Sequence, residues 1–203
     1  MHALVGKPQH SRERGPEHLG EPMKISPLSL IVEHIRSEQQ LAHEVPGFDP
    51  QNGNEAARFL FVLEAPGPKA VASKIISLDN KDQTAKNFRT QLTDAGIRPA
   101  DIAVWNVVPW YLGNKELSKI RGAKSTDVKK GLQYLTQVVA AIKNLECIVL
   151  VGGAARQAHI HLSHNTTARI LSCHHPSPKV QNTNKDATEE NVSVFRFMLD
   201  LSK

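Results

Sequence analysis

Cysteine is scarce: the 203-residue chain has two, Cys147 and Cys173. Both lie inside apolar runs, "ECIVLV" and "RILSC", where a buried, reduced thiol is the ordinary state. Two thiols are too few for a four-cysteine iron–sulfur cluster or a structural zinc site. Long hydrophobic runs are missing too. No stretch approaches the roughly 20 apolar residues of a membrane-spanning helix, and the N-terminus lacks a signal-peptide layout. The chain also lacks internal repeats. These absences predict an intracellular, cytoplasmic protein with no membrane partner. Hydrophobic content of 40% and charged content of 22% suit a globular domain. Residues 1–24 are rich in Pro, Gly, His and charge, and predict a disordered tail or a start assigned too far upstream. Residues 25–203 then form one domain.

The formal net charge is +5, a mild excess that allows a polyanionic partner without requiring one. The stretch "GNKELSKIRGAKSTDVKK" concentrates it, with Lys115, Lys119, Arg121, Lys124, Lys129 and Lys130 against Glu116 and Asp127. On charge alone this is equally a solvated loop and helix face.

Four short runs lack helical spacing: "RFLFVLE" (58–64), "DIAVWNVV" (101–108), "CIVLVG" (147–152) and "RILSC" (169–173). Continuous apolar runs of this length predict strands buried on both faces of a parallel sheet. Helical patterns lie between them. An opening helix carries Leu30, Ile31, His34 and Ile35, and "DQTAKNFRTQLTDAG" has Phe88 and Leu92 with Gly96 as its stop. A third helix has Leu132, Leu135, Val139 and Ile142 on one face with Ser125 or Thr126 as N-cap, "GAARQAHIHL" is a short helix, and the last carries Val194, Phe197, Met198 and Leu201. Strands alternating with helices predict an α/β fold, a three-layer α/β/α sandwich on a four-stranded parallel sheet.

Ligands in such folds bind outside the carboxyl ends of the strands. Here those ends read "EAPGP", "NVVPWYLGN", "VGGAA" and "HHPSP", so four distant segments converge on one rim. Glu64 at the first strand end offers a carboxylate to a water or a cation, or simply pairs with an arginine. Gly67 and Pro68 belong to a tight loop that lets a ligand approach. Asn106, inside an apolar strand, must find hydrogen-bond partners, either by tying backbone together or by reading the edge of a planar base. Gly152 and Gly153 permit close packing or approach a phosphate. Of His174 and His175, neighbours on a strand, one should serve the cleft and one the scaffold. A rim histidine can donate to an oxygen that gains charge, and Ser177 can hold a phosphate. His159 and His161 do not share a helix face, which disfavours zinc.

Glu-Ala-Pro-Gly after the first strand, Asn after the second and His-Pro-Ser-Pro after the last resemble the uracil-DNA glycosylase superfamily over roughly residues 56–200. "EAPG" resembles the first motif of its iron–sulfur class, and "HPSP" the last motif of its cluster-free enzymes. The resemblance implies a monomeric DNA-repair glycosylase, nucleoid-associated, that uses no cofactor and no metal and replaces a base by water at C1′ of deoxyribose. It implies that His175 stabilises the departing uracil at O2, Asn106 binds its edge, Glu64 is the acidic residue, and Ser177 with its prolines compresses phosphates. Ala65 stands where the cluster-free enzymes have a water-activating aspartate. Ile75, Ile76 or Leu78 stands where an aromatic ring normally stacks on the base, so Ile76 and Ala65 are base-contact candidates beside Asn106. Lys179 stands at the wedge leucine. Lys115, Arg121 and Lys124 become candidate DNA contacts with Gly67, Pro68, Ser177 and Lys179. Three alternatives stay open: a glycosylase for hypoxanthine or xanthine, a DNA-damage binding module without catalysis, and a metal-dependent nucleotide or phosphate-ester hydrolase.

Overall fold

The four apolar runs are strands, and they lie side by side. The computed structural model describes residues 25–202; the tail expected over 1–24 lies outside them. Strands β2 (Phe59–Leu63), β4 (Ile102–Asn106), β5 (Cys147–Val151) and β6 (Arg169–Cys173) form one parallel sheet in the order β4-β2-β5-β6. β1 (Gly47–Phe48) and β3 (Ile75–Ile76) add a two-stranded parallel sheet that the sequence did not announce. Every residue of β4 and β5 is buried, which is why neither run alternates polar with apolar.

Helices cover the sheet in two groups. Helix α1 (Pro27–Glu38) packs with α4 (Ser125–Ala141), and α3 (Gln83–Asp94) with α8 (Ala187–Asp200). Phe61 of β2, Phe88 of α3 and Phe195 of α8 meet edge to face, with centroids 5.2–6.2 Å apart. Such pairs add about 0.5–1.5 kcal/mol each beyond their buried area. Alternation along β4 then sets the faces. Val104, paired with Phe61, and Asn106, paired with Leu63, share the α3/α8 side, whereas Trp105 faces the other way and stacks on Phe48.

Helix details differ from expectation in phase rather than existence. In α1 the buried stripe is Leu28, Val32 and Ile35; Leu30 is exposed and His34 turns outward to Glu38 at 3.3 Å. The alternative stripe would have put an imidazole in the core. In α8 the stripe is Ala187, Asn191, Val192, Phe195 and Met198, leaving Phe197 exposed, because Phe195 completes the aromatic cluster. Lys124, not Ser125 or Thr126, is the N-cap of α4, and Asp127 accepts its N–H at 2.8 Å. The short helix after β5 is two, α5 (Gly152–Arg156) and α6 (His159–Asn165). Two further short helices follow the proline motifs: α2 (Pro68–Ser73), capped by Gly67, and α7 (Pro178–Thr183), capped by Ser177. No described helix is long and apolar enough to cross a membrane.

Candidate active site

The carboxyl ends of the strands open into a cavity of about 650 Å³. Glu64, Ala65, Gly67 and Pro68 from the loop after β2, Asn106 from β4 and His175 from the loop after β6 all line it. Ile76, Arg121 and Lys179 line it as well. Sequence positions more than 100 residues apart thus meet on one rim.

Glu64 is fixed at both ends. Its backbone carbonyl accepts the N–H of Val108 at 2.9 Å, and its Oε1 accepts the N–H of Ala123 at 2.6 Å. The second bond reaches across from the basic loop, so that loop folds back onto the acid. Gly122 lies beside the same oxygen, 3.4 Å from where a Cβ would stand.

Asn106 is only 2% exposed, and its Nδ2 is buried with no hydrogen-bond partner. The amide therefore does not tie backbone together, the scaffold role open to it from sequence. A buried amide N–H without a partner costs about 1–3 kcal/mol, and such an orphan calls for an explanation.

The two histidines divide as alternation requires. His174 turns to α8: its Nε2 lies 2.7 Å from Glu190, its N–H donates to Asn191 Oδ1 at 2.8 Å, and its carbonyl accepts from Asn191 Nδ2 at 3.0 Å. His175 faces the cavity. Desolvation by burial pulls its pKa below the ordinary imidazole value, and the Glu64 charge opposes that in part. The fold thus favours a neutral ring. On the far side of His175, the Pro176 carbonyl accepts from Asn87 Nδ2 at 2.9 Å. Both neighbours of the imidazole are held, by Asn191 and Asn87, which the sequence did not single out. Asn191 carried a legible signal, a polar residue within the apolar stripe of α8.

The Gly-Gly turn serves His175. Gly152 has φ +87, and a Cβ there would lie 3.0 Å from the His175 Cβ and 3.4 Å from Cδ2. Gly152→Ala is expected to destabilise the fold by about 1–2 kcal/mol through its left-handed backbone alone and to displace the ring. Thermal denaturation and the imidazole NMR shifts read both effects; unchanged shifts would show that Gly152 does not seat the ring.

The other candidates are placed less uniformly. Ser177 does not line the cavity; its Oγ accepts the Val180 N–H at 3.5 Å as the α7 cap. Arg121 lines the cavity with its guanidinium on Asp127, at 2.6 and 3.1 Å. Lys124 caps α4 outside the cavity, and Lys115 lines a different cavity with Arg36, His43 and Lys74. Lys69, not anticipated, joins Lys179 at the active cavity. Ile76 and Leu78 present aliphatic walls, and Phe88 supplies an aromatic edge from α3. His161 contacts Thr136 at 2.7 Å, and among the described residues no group of three or more His, Cys, Asp or Glu is placed to hold a metal ion.

The cysteines do not fit an iron–sulfur cluster. Cys147 opens β5 and Cys173 ends β6, and both are buried. In the β5–β6 pairing Cys147 sits beside Arg169 and Cys173 beside Val151, so the two thiols lie at opposite ends of the paired strands, and a cluster needs four gathered at one place.

The model of the uracil DNA glycosylase superfamily matches residues 50–198. The solution NMR structure of a "putative Uracil DNA glycosylase from Methanosarcina acetivorans" superposes with a TM-score of 0.51 at 15% identity, covering 75% of this chain and 97% of that one. A search of curated proteins returned no significant match. The match to residues 50–198 takes in all four strands of the main sheet and each strand-end segment that lines the cavity, and the chain belongs to the uracil DNA glycosylase superfamily.

Proposed function

We propose that this protein hydrolyses the N-glycosidic bond of uracil, or of a related deaminated base, in DNA. One observation carries the reading: Glu64, Asn106 and His175, from three strand ends, line one cavity in which the Asn106 amide is buried and unpaired. A duplex hides the glycosidic bond, so the nucleotide leaves the stack at a cost of a few kcal/mol. Lys69 and Lys179 at the rim provide attraction for phosphates, whereas the charge of Arg121 is already met by Asp127. Asn106 pairs with the edge of the extruded base. As the C1′–N1 bond breaks, its electron pair passes to the base, and neutral His175 donates a hydrogen bond to O2, where the negative charge collects. Glu64 orients a water toward C1′ and favours the positive charge that develops on the sugar. The water oxygen bonds to C1′ and passes a proton to Glu64, which releases it to solvent, while the departing base anion takes up a proton from solvent, giving an abasic site and free base.

The aliphatic walls at Ile76 and Leu78, where a stacking ring would hold uracil, favour a second reading in which hypoxanthine or xanthine is the preferred base. The test incubates the full chain, with chelator present, with oligonucleotides bearing uracil, hypoxanthine or xanthine. Free base and alkali-dependent strand breaks are then measured. Release of one of the three, with breaks only after alkali, is the expected result. Tight binding without release would make this a damage-binding module, and loss of activity in chelator would point to metal-dependent hydrolysis.

A further inference from the structure

Among the described residues, five large apolar side chains stand well exposed: Ile25, Leu30, Ile120, Ile160 and Phe197. Of these only Ile120, 52% exposed, lines the active-site cavity. A lone exposed aliphatic is unremarkable by itself. The loop beneath this one, however, is built to hold it in place.

Gly113 and Ile120 form an isolated antiparallel bridge. On one side of Ile120, the Lys119 carbonyl accepts from the Asn114 N–H at 3.1 Å and from the Tyr111 hydroxyl at 3.0 Å, while Asn114 Oδ1 accepts the Lys119 N–H at 2.9 Å. On the other side, the Arg121 N–H donates to the Leu112 carbonyl at 3.0 Å. A Cβ at Gly113 would fall 2.2 Å from the Lys119 oxygen, so the loop closes this tightly only over a glycine. Both neighbours of Ile120 are thus fixed while about half of the residue, 52%, stays open to water at the cavity mouth, an apolar surface the fold itself leaves uncovered. Lys119 flanks it with positive charge, and on its other side Arg121 is held on Asp127.

The geometry points to Ile120 as the residue that enters the base stack of duplex DNA and fills the place of the extruded nucleotide. This rests on the glycosylase reading above. Apolar wedges of this kind partly unstack a base step and hold the distorted duplex. The partner surface is apolar base faces bordered by phosphates, which matches an aliphatic side chain with the Lys119 ammonium beside it. Lys179 on the other rim is a poor occupant of that gap, because an ammonium group loses its hydration there. A single strand is already unpaired and extrudes a base at least cost. The contribution of Ile120 is therefore specific to duplex.

The test compares the full chain with Ile120→Ala and Ile120→Leu on uracil in duplex and in single-stranded DNA. Ile120→Ala should lower kcat/KM on duplex by about tenfold or more, equivalent to ~1.4 kcal/mol, with little change on single strands. Ile120→Leu should restore duplex activity, and melting temperatures should be unchanged. Equal losses on both substrates, or full duplex activity in Ile120→Ala, would overturn the assignment. A second readout does not depend on cleavage: a duplex with a 2′-fluoro-substituted uracil nucleotide, which resists hydrolysis, beside 2-aminopurine. The parent should raise 2-aminopurine emission on binding, and Ile120→Ala should bind with much less rise; equal rises refute the wedge. Absence of base release by the parent on every substrate refutes the glycosylase reading, and the emission then decides the wedge by itself.

Discussion

His175→Ala is expected to slow base release by about 10²–10³-fold, which corresponds to losing one oxyanion donor worth ~2.7–4 kcal/mol, while affinity for uracil-bearing DNA changes little. The effect is confined to the rate because the hydrogen bond matters most when O2 becomes negative. Single-turnover kinetics beside an equilibrium binding measurement separate the two. Protonation adds an independent check. Burial lowers the His175 pKa from its ordinary 6.5, and the Glu64 carboxylate works in the opposite direction. The folded value is depressed, so the stabilisation of the neutral ring is fully present above the unfolded pKa and is lost as pH falls through the folded one. Release should therefore hold through pH 6.5 and fall only below it. Glu64→Gln removes the charge that raises the pKa, so an NMR titration should place His175 lower still in that variant. An imidazole titrating at or above 6.5 in the parent, or moving upward in Glu64→Gln, contradicts the assignment.

Much of this site could be read from the sequence because its determinants are local. All four strands were visible as apolar runs, but burial on both faces holds for β2, β4 and β5 only: β6 is an edge strand in which Arg169 and Ser172 are exposed and Cys173 alone is buried. Asn106 announced itself as an amide with nowhere polar to go within its own strand. That one of His174 and His175 would face the cleft followed from alternation, and the His-Pro-Ser-Pro motif singled out His175, which does line the cavity; what the sequence did not show is how the pair is held apart. That lies with Asn191 and Glu190 on α8, whose approach depends on the packed fold. The basic loop shows the same division. Its charge was plain, yet Arg121 is paired with Asp127, Lys115 faces another cavity, and the loop's bond to Glu64 comes from the backbone of Ala123, which has no side-chain signature. Helices α2 and α7 were legible in principle: Gly67-Pro68 and Ser177-Pro178 are N-cap and N1 pairs. Read as rigid loops, they hid the fact that the Ser177 hydroxyl caps a helix.

Asn106→Ala separates function from stability in the opposite direction from most core substitutions. Its amide is expected to pair with the base edge, and losing a bidentate pair worth ~1–3 kcal/mol should slow release by about 10- to 100-fold and blunt discrimination between bases. In the free protein the same amide is a liability, because its buried Nδ2 has no partner. Removing it relieves a desolvation cost of about 1–3 kcal/mol, and truncation at the cavity wall leaves space that is continuous with the open cleft rather than a sealed void. The melting temperature should stay level or rise while base release falls. The Trp105 side chain, fully buried on the opposite face of β4, makes the contrast: a large-to-small change there should cost about 3–5 kcal/mol in stability. Thermal denaturation and single-turnover release on both variants would show the inversion. A variant at position 106 that loses several degrees of melting temperature and keeps its activity would return Asn106 to the scaffold.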